Sequence, residues 1–396
     1  MKERILFLTK DAMCKEYLPI YGNDYWKGKT PNLDELASKG TVFSHFYTAA
    51  PSTVMAFRSV LTGKFAHEQP YSDYIPMEVP DEADNFFILA QSRGYETHMI
   101  WDEKWERMVL RYGNSFGKNT IIHNVPGLNQ EVGVHCKRTG SLVRDDSKVD
   151  EAISNLVGVV DTICKEGKKI LVWIHLPHVI MGRIGYGDDI DIFDRIIGEL
   201  RKYFSDDCIY ISADHGNMNG YHGKFSYGFD VYTPAIEIPF IAPRINGMRT
   251  CETYVSNTDV KELILNEKVV QREFIYSDCA YYAQPHRKLA IISDGFAYIY
   301  NKATKKEELY DLTNDYFERC NLMNDTFYDS DRILRTHGQD VYFNPNWKKI
   351  AEVRTKFRAE KNRIWKKAGF MVELRGITLS HLKKIYVILR KNFFGH

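Results

Sequence analysis

The sequence predicts an α/β fold in which a mostly parallel central sheet is flanked by helices, followed by a small C-terminal antiparallel sheet and a basic helical tail. Three observations predict it. Apolar runs at residues 4–9, 169–178 and 208–213 stop abruptly at polar residues, the pattern of strands buried on both faces of a parallel sheet. Helical patterns at 30–40 and 190–204 lie between these runs, as layered α/β architecture requires. Late in the chain, residues 286–292 and 296–300 flank Ser293-Asp294-Gly295 and read as a hairpin.

Bulk composition narrows the class. A chain of 396 residues with 44% hydrophobic and 27% charged content can bury a sizeable core. The first apolar run, Ile5-Leu6-Phe7-Leu8, is too short for a signal-peptide core, and no later run of about 18 apolar residues predicts a membrane span. Seven cysteines without CxxC spacing suggest neither a zinc cage nor a disulfide framework, so reduced thiols in a cytoplasmic protein are expected. The net charge of +1 is unevenly spread: residues 345–396 carry 14 Lys and Arg against three Glu, or +11, which leaves about −10 on residues 1–344. The expected organisation is a catalytic domain at 1–250, a subdomain completing it at 251–335, and the basic tail at 336–396.

In chain order, the first strand delivers Asp11 just past its carboxyl end, where alone it reads as a cap or loop residue. Residues 30–40 form a helix with Leu33, Leu36 and Ala37 on one face and Gly40 as its stop. A strand at 42–47 leads to Ser52-Thr53, which starts a helix that Gly63 ends and sets a hydroxyl at the positive end of the helix dipole. The run at 169–178 carries His175 and His178 to the same sheet edge. The helix at 190–204 is amphipathic, and its acids are read as a solvated face. The run at 208–213 ends in Asp214-His215-Gly216, with His222 seven residues after His215. Ligands of parallel α/β sheets bind at this edge, so Asp214 and His215 are placed to hold a metal. Arg58 and Lys224 are candidate anion contacts.

Several motifs in order resemble the sulfatase branch of the alkaline phosphatase superfamily. They are Asp11, Thr30-Pro31-Asn32-Leu33-Asp34-Glu35-Leu36-Ala37, Phe43-x-x-x-Tyr47-x-x-x-Pro51-Ser52-Thr53, Leu61-Thr62-Gly63 and Asp214-His215-Gly216. Residues 93–100, 237–243 and 308–322 continue the likeness, which covers roughly residues 4–325. The resemblance implies an alkaline-phosphatase-like fold and one divalent metal held by Asp11, Thr53, Asp214 and His215. That ligand set suits Mn2+ or Zn2+, with Mg2+ or Ca2+ as further choices. It also implies a substrate-side histidine, His175 or His178, and a role for His222 through its spacing.

The sequence departs from the sulfatase pattern where those enzymes make their nucleophile. The nucleophile column holds Thr53, from which a formylglycine cannot arise, and Arg58 lies one place late. The column of the sulfate-contacting lysine holds Tyr227, with Lys224 three residues earlier. A threonine nucleophile resembles the phosphoethanolamine and phosphoglycerol transferases of the superfamily. A threonine hydroxyl is a poor nucleophile until a cation lowers its pKa and orients it. The expected function is therefore a metal-dependent phospho-group transferase or phosphodiesterase acting through a covalent phosphothreonine, with Thr53 as nucleophile and His222, His178 or His175 as the acid. A phospholipid or nucleotide would be the donor and a glycan the acceptor. The alternatives are a sulfatase-like hydrolase of sulfuric or phosphate esters, and an inactive binding module. The tail, with Ile350, Val353, Phe357, Ile364 and Trp365 among cationic residues, suits either an anionic membrane surface or packing on the acidic body. The first of these would make the enzyme peripheral on the inner membrane face. No nucleic-acid module is recognisable.

Overall fold

A computed structural model places strand β1 (Arg4–Lys10) in the middle of an eight-stranded sheet. The structure describes the chain apart from residues 1, 70–84, 103–115, 118, 129–132, 136–141, 178–186, 188, 280–286, 324–331, 337–338, 344–346 and 368–396. The other strands of this sheet are β2 (Thr41–Phe43), β3 (Glu96–Asp102), β4 (Ile121–Val125), β5 (Ile170–Leu176), β6 (Ile209–Ala213), β7 (Phe240–Ala242) and β8 (Thr250–Cys251). Their order is β8-β2-β7-β6-β1-β5-β3-β4, and of these strands only β7 runs against its neighbours. The central strands read as continuous apolar runs because helices cover both faces: all seven residues of β5 and all five of β6 are buried.

Register fixes the site. Strand β1 pairs in parallel with β5 from Arg4↔Ile170 to Lys10↔Leu176, and with β6 from Leu6↔Ile209 to Lys10↔Ala213. Asp11 and Asp214 therefore leave adjacent strands side by side. Helix α1 (Pro31–Lys39) starts with proline in its first turn, where no N–H is needed. The backbone N–H groups of Asn32 and Leu33 donate to the Asp194 carboxylate at 3.1 and 2.9 Å. Asp194 belongs to α4 (Ile190–Leu200), which follows α3 (Asp146–Lys165). The solvated face expected for the α4 acids is thus corrected at Asp194, which is 3% exposed because it caps the start of α1. Helix α2 (Thr53–Thr62) has Ser52 as its N-cap and Gly63 in the left-handed region at φ 67°, as the sequence predicts. All ten of its residues are buried, and Phe57 packs on Trp173 with ring centres 4.6 Å apart.

A second core lies under a four-stranded antiparallel sheet in the order β9 (Ile275–Asp278), β10 (Lys288–Ser293), β11 (Phe296–Asn301) and β12 (Glu307–Asp311). The predicted hairpin is β10–β11. Helix α5 (Trp347–Lys367) lays Ile350, Phe357 and Ile364 on this sheet, with Phe357 stacked on Tyr298. Its cations meet the acids of the body: Lys356 pairs with Asp294 at 2.9 Å, and Arg358 and Lys361 both reach Glu307 at 2.8 Å. Of the two readings of the tail, packing on the acidic body accounts for this helix. The rest of the tail, residues 368–396, lies outside the described residues. Among the described residues, no helix is long and apolar enough to cross a membrane.

Candidate active site

Three segments meet at the carboxyl edge of the sheet: Asp11 after β1, Asp214 and His215 after β6, and Thr53 at the first position of α2. His215 Nδ1 lies 2.8 Å from the Gly216 carbonyl, which can only accept, so Nδ1 carries the proton. Nε2 faces Thr53 Oγ1 at 3.3 Å, Asp214 Oδ2 at 3.4 Å and Asp11 Oδ1 at 3.6 Å. Asp214 Oδ1 accepts the backbone N–H groups of Ala12 at 3.1 Å and His215 at 2.8 Å. Ala12 reaches it from the left-handed region, at φ 56°. Asp214 Oδ2 accepts no hydrogen bond among the described residues. Gly216 is required by a close approach, since a Cβ there would lie 2.0 Å from the Pro234 carbonyl oxygen.

The four groups fit a divalent cation. Asp11, Asp214 and His215 each offer one ligand atom, all within 4.8 Å of one another, and all three are buried. Two buried carboxylates beside an imidazole form a cluster whose charge burial is costly unless a cation offsets it. Hard oxygens with one imidazole suit Mn2+, Zn2+, Mg2+ or Ca2+. Thr53, 6% exposed, adds a hydroxyl at the end of a helix dipole that favours negative charge.

The remaining site candidates take other partners. His175 sits opposite Thr9 in the β1–β5 register, with Nδ1 2.9 Å from Thr9 Oγ1, and Trp173 Nε1 donates to the same hydroxyl at 2.9 Å. Burial pushes the His175 pKa down to about 3 despite the opposing charge of Asp11, so the ring is neutral at ordinary pH. His222 sits at φ 53°, stacks on Tyr232 at 3.9 Å and places Nε2 3.1 Å from the Phe317 carbonyl; burial lowers its pKa. Arg58 donates from Nε to Gln69 Oε1 at 2.5 Å, and Lys224 pairs with Asp230 at 2.7 Å. The structure thus brings Asp11, Thr53, Asp214 and His215 together, while these partners of His222, Arg58 and Lys224 are outside that cluster. His178 lies outside the described residues.

Two residues at the site had no assigned role. The Tyr227 ring packs on His215 at 4.3 Å, and its register from Asp-His-Gly was the available signal. Cys14 contacts the loop that follows His215, and nothing local in the sequence marks it.

The Sulfatase family model matches residues 4–202. Over 104 residues the chain is 31% identical to the N-acetylglucosamine-6-O-sulfatase of Bacteroides thetaiotaomicron, covering 26% of this chain and 18% of that protein. Over 92 residues it is 34% identical to the phosphopentomutase of Mycoplasmopsis pulmonis, covering 22% of this chain and 23% of that protein. Such matches span only 18% to 23% of the curated relatives' length. Among solved structures, the phosphonate monoester hydrolase of Agrobacterium radiobacter superposes with a TM-score of 0.64 at 12% identity, over 93% of this chain and 96% of that one. A 2-O GAG sulfatase gives 0.66 at 14% identity, over 92% and 93%. At these identities the superpositions show a shared fold.

Proposed function

Because this chain belongs to the sulfatase family, within the alkaline phosphatase superfamily, we propose that it is a metal-dependent ester hydrolase in which Thr53 attacks a phosphate ester. The sequence reading ranked phosphoethanolamine- or phosphoglycerol-type transfer to a glycan first. The names of the sulfatase relatives and of the phosphonate monoester hydrolase lend more support to ester hydrolysis, while the phosphopentomutase is a phosphoryl-transfer relative. The observation that carries the proposal is the 3.3 Å approach of Thr53 Oγ1 to His215 Nε2 at the start of α2.

Asp11, Asp214, His215 and Thr53 would hold a divalent cation, and when bound such an ion lowers the pKa of a hydroxyl and offsets charge on transferring oxygens. Thr53 Oγ then attacks phosphorus as the bond to the ester oxygen breaks. The threonine proton and the proton taken up by the departing alkoxide exchange with solvent. First-turn N–H groups, which a helix leaves without intrahelical partners, face negative charge at this position. Water attacks the phosphothreonine in a second displacement, releasing phosphate and restoring the hydroxyl. A glycan hydroxyl in place of water would give the transferase version of the same step.

A second reading, sulfate ester hydrolysis, is favoured by the names of the sulfatase relatives. Against it stands threonine in the nucleophile position. Assays with p-nitrophenyl phosphate, bis-p-nitrophenyl phosphate and p-nitrophenyl sulfate, each with Mn2+, separate the two. Turnover of a phosphate ester that is lost in Thr53→Ala is expected; faster turnover of the sulfate would overturn the substrate assignment.

A further inference from the structure

We infer that Cys14 is a positioning residue for the metal centre, its thiol tying the loop that carries Asp11 to the loop that carries Asp214 and His215. The inference rests on the metal-site reading above. Cys14 Sγ accepts the Asn217 backbone N–H at 3.0 Å and the Asn219 side-chain amide at 3.4 Å. The same sulfur lies 3.4 Å from the Asn217 carbonyl and 3.5 Å from the Pro234 carbonyl, both acceptors within reach of the S–H. It is wholly buried.

These contacts join three stretches of backbone that the sheet alone does not hold together. The loop after β6 is braced on one side by the turn before β7, where Gly216 N–H donates to Ala235 and Asn217 N–H to Pro234. On the other side it is tied to the β1 loop by Ala12 N–H on Asp214 at one end and by Cys14 at the other. Removing the thiol leaves the Asp214 end anchored to the β1 loop and the end that follows His215 held only by Ala235 and Pro234. Asn219 holds a left-handed backbone at φ 46°, and its amide bond to Sγ helps keep that conformation in place. Hydrogen-bond partners behind metal ligands commonly change metal affinity by 10–100-fold when removed. A sulfur with one weak donor and room for several acceptor contacts can do this without a charge of its own.

The test is the Mn2+ dissociation constant, measured calorimetrically on the full chain without substrate. Cys14→Ala is expected to raise it about tenfold, and Cys14→Ser, which keeps a donor and an acceptor, to raise it less. Cys208→Ala, which removes another buried thiol whose contacts are to Ser205, is the control and is expected to match the parent. Should Cys14→Ala fail to fold, Asn219→Gly removes one donor to the thiol in a backbone that suits glycine, and a weakened Mn2+ constant is again expected. Parent-like affinity in Cys14→Ala, or in Asn219→Gly where it replaces it, overturns the inference while leaving the metal site standing. A parent protein that takes up no Mn2+ overturns the metal-site reading itself.

Discussion

Thr53 Oγ1 stands 3.3 Å from His215 Nε2, a hydroxyl and an imidazole 162 residues apart in sequence, joined where a helix starts and a strand ends. The approach puts a potential nucleophile at the apex of a cluster completed by Asp11 and Asp214.

Asp214→Asn tests the cluster as a metal site. Asparagine keeps an oxygen to accept the N–H groups of Ala12 and His215, so the fold should survive, but the charge facing His215 is lost. Calorimetry is expected to show Mn2+ affinity reduced about 100-fold or more, with circular dichroism unchanged. Parent-like Mn2+ binding would remove Asp214 from the ligand set.

Glu16 gives a pH signature. Burial pushes its pKa from 4.5 up to about 8, so the folded state holds a proton that the unfolded state releases. Its contribution to stability is fully present below about pH 4.5 and is lost as pH rises through 8. Glu16→Gln, neutral throughout, is expected to melt with the parent at pH 5 and above it at pH 8.5. Identical melting temperatures at both values would show that Glu16 ionises normally.

Much of this arrangement was legible because it rests on long patterns. The runs of β1 and β6 mark buried parallel strands, and each ends one residue before a carboxylate, so Asp11 and Asp214 could be set at one edge before any coordinates. Ser52 and Gly63 bracket α2 by their own backbone preferences. The rest depends on tertiary contact. The strand expected at 42–47 is two short ones, β2 and Phe46–Tyr47, which belong to different sheets, and the reversed direction of the three-residue β7 has no local signal. Asp194 reads as one more polar residue on an amphipathic helix, and its partners lie 161 and 162 residues away. The spacing of His222 fits the family, yet a left-handed turn lays its ring on Tyr232. In α5 the same apolar stripe suits a bilayer or a sheet, and only the sheet's presence decides.

Phe357→Ala tests that last assignment. Its ring is buried against Tyr298 and Phe274, so urea denaturation is expected to show a loss of about 3–5 kcal/mol in the second core. Mn2+ affinity should stay unchanged, because the ring contacts of Phe357 are to Tyr298 and Phe274 of the second core. A change below about 1 kcal/mol would mean that the helix is not docked in solution.

The nucleophile is tested most directly by rapid acid quench of the Mn2+-loaded enzyme during turnover of a phosphate ester, followed by intact-mass and peptide mapping. Thr53 as nucleophile requires one added phosphoryl group on the peptide that begins α2, localised to Thr53 and absent from Thr53→Ala. A phosphoryl group on Ser52, or parent-like turnover in Thr53→Ala, would contradict it.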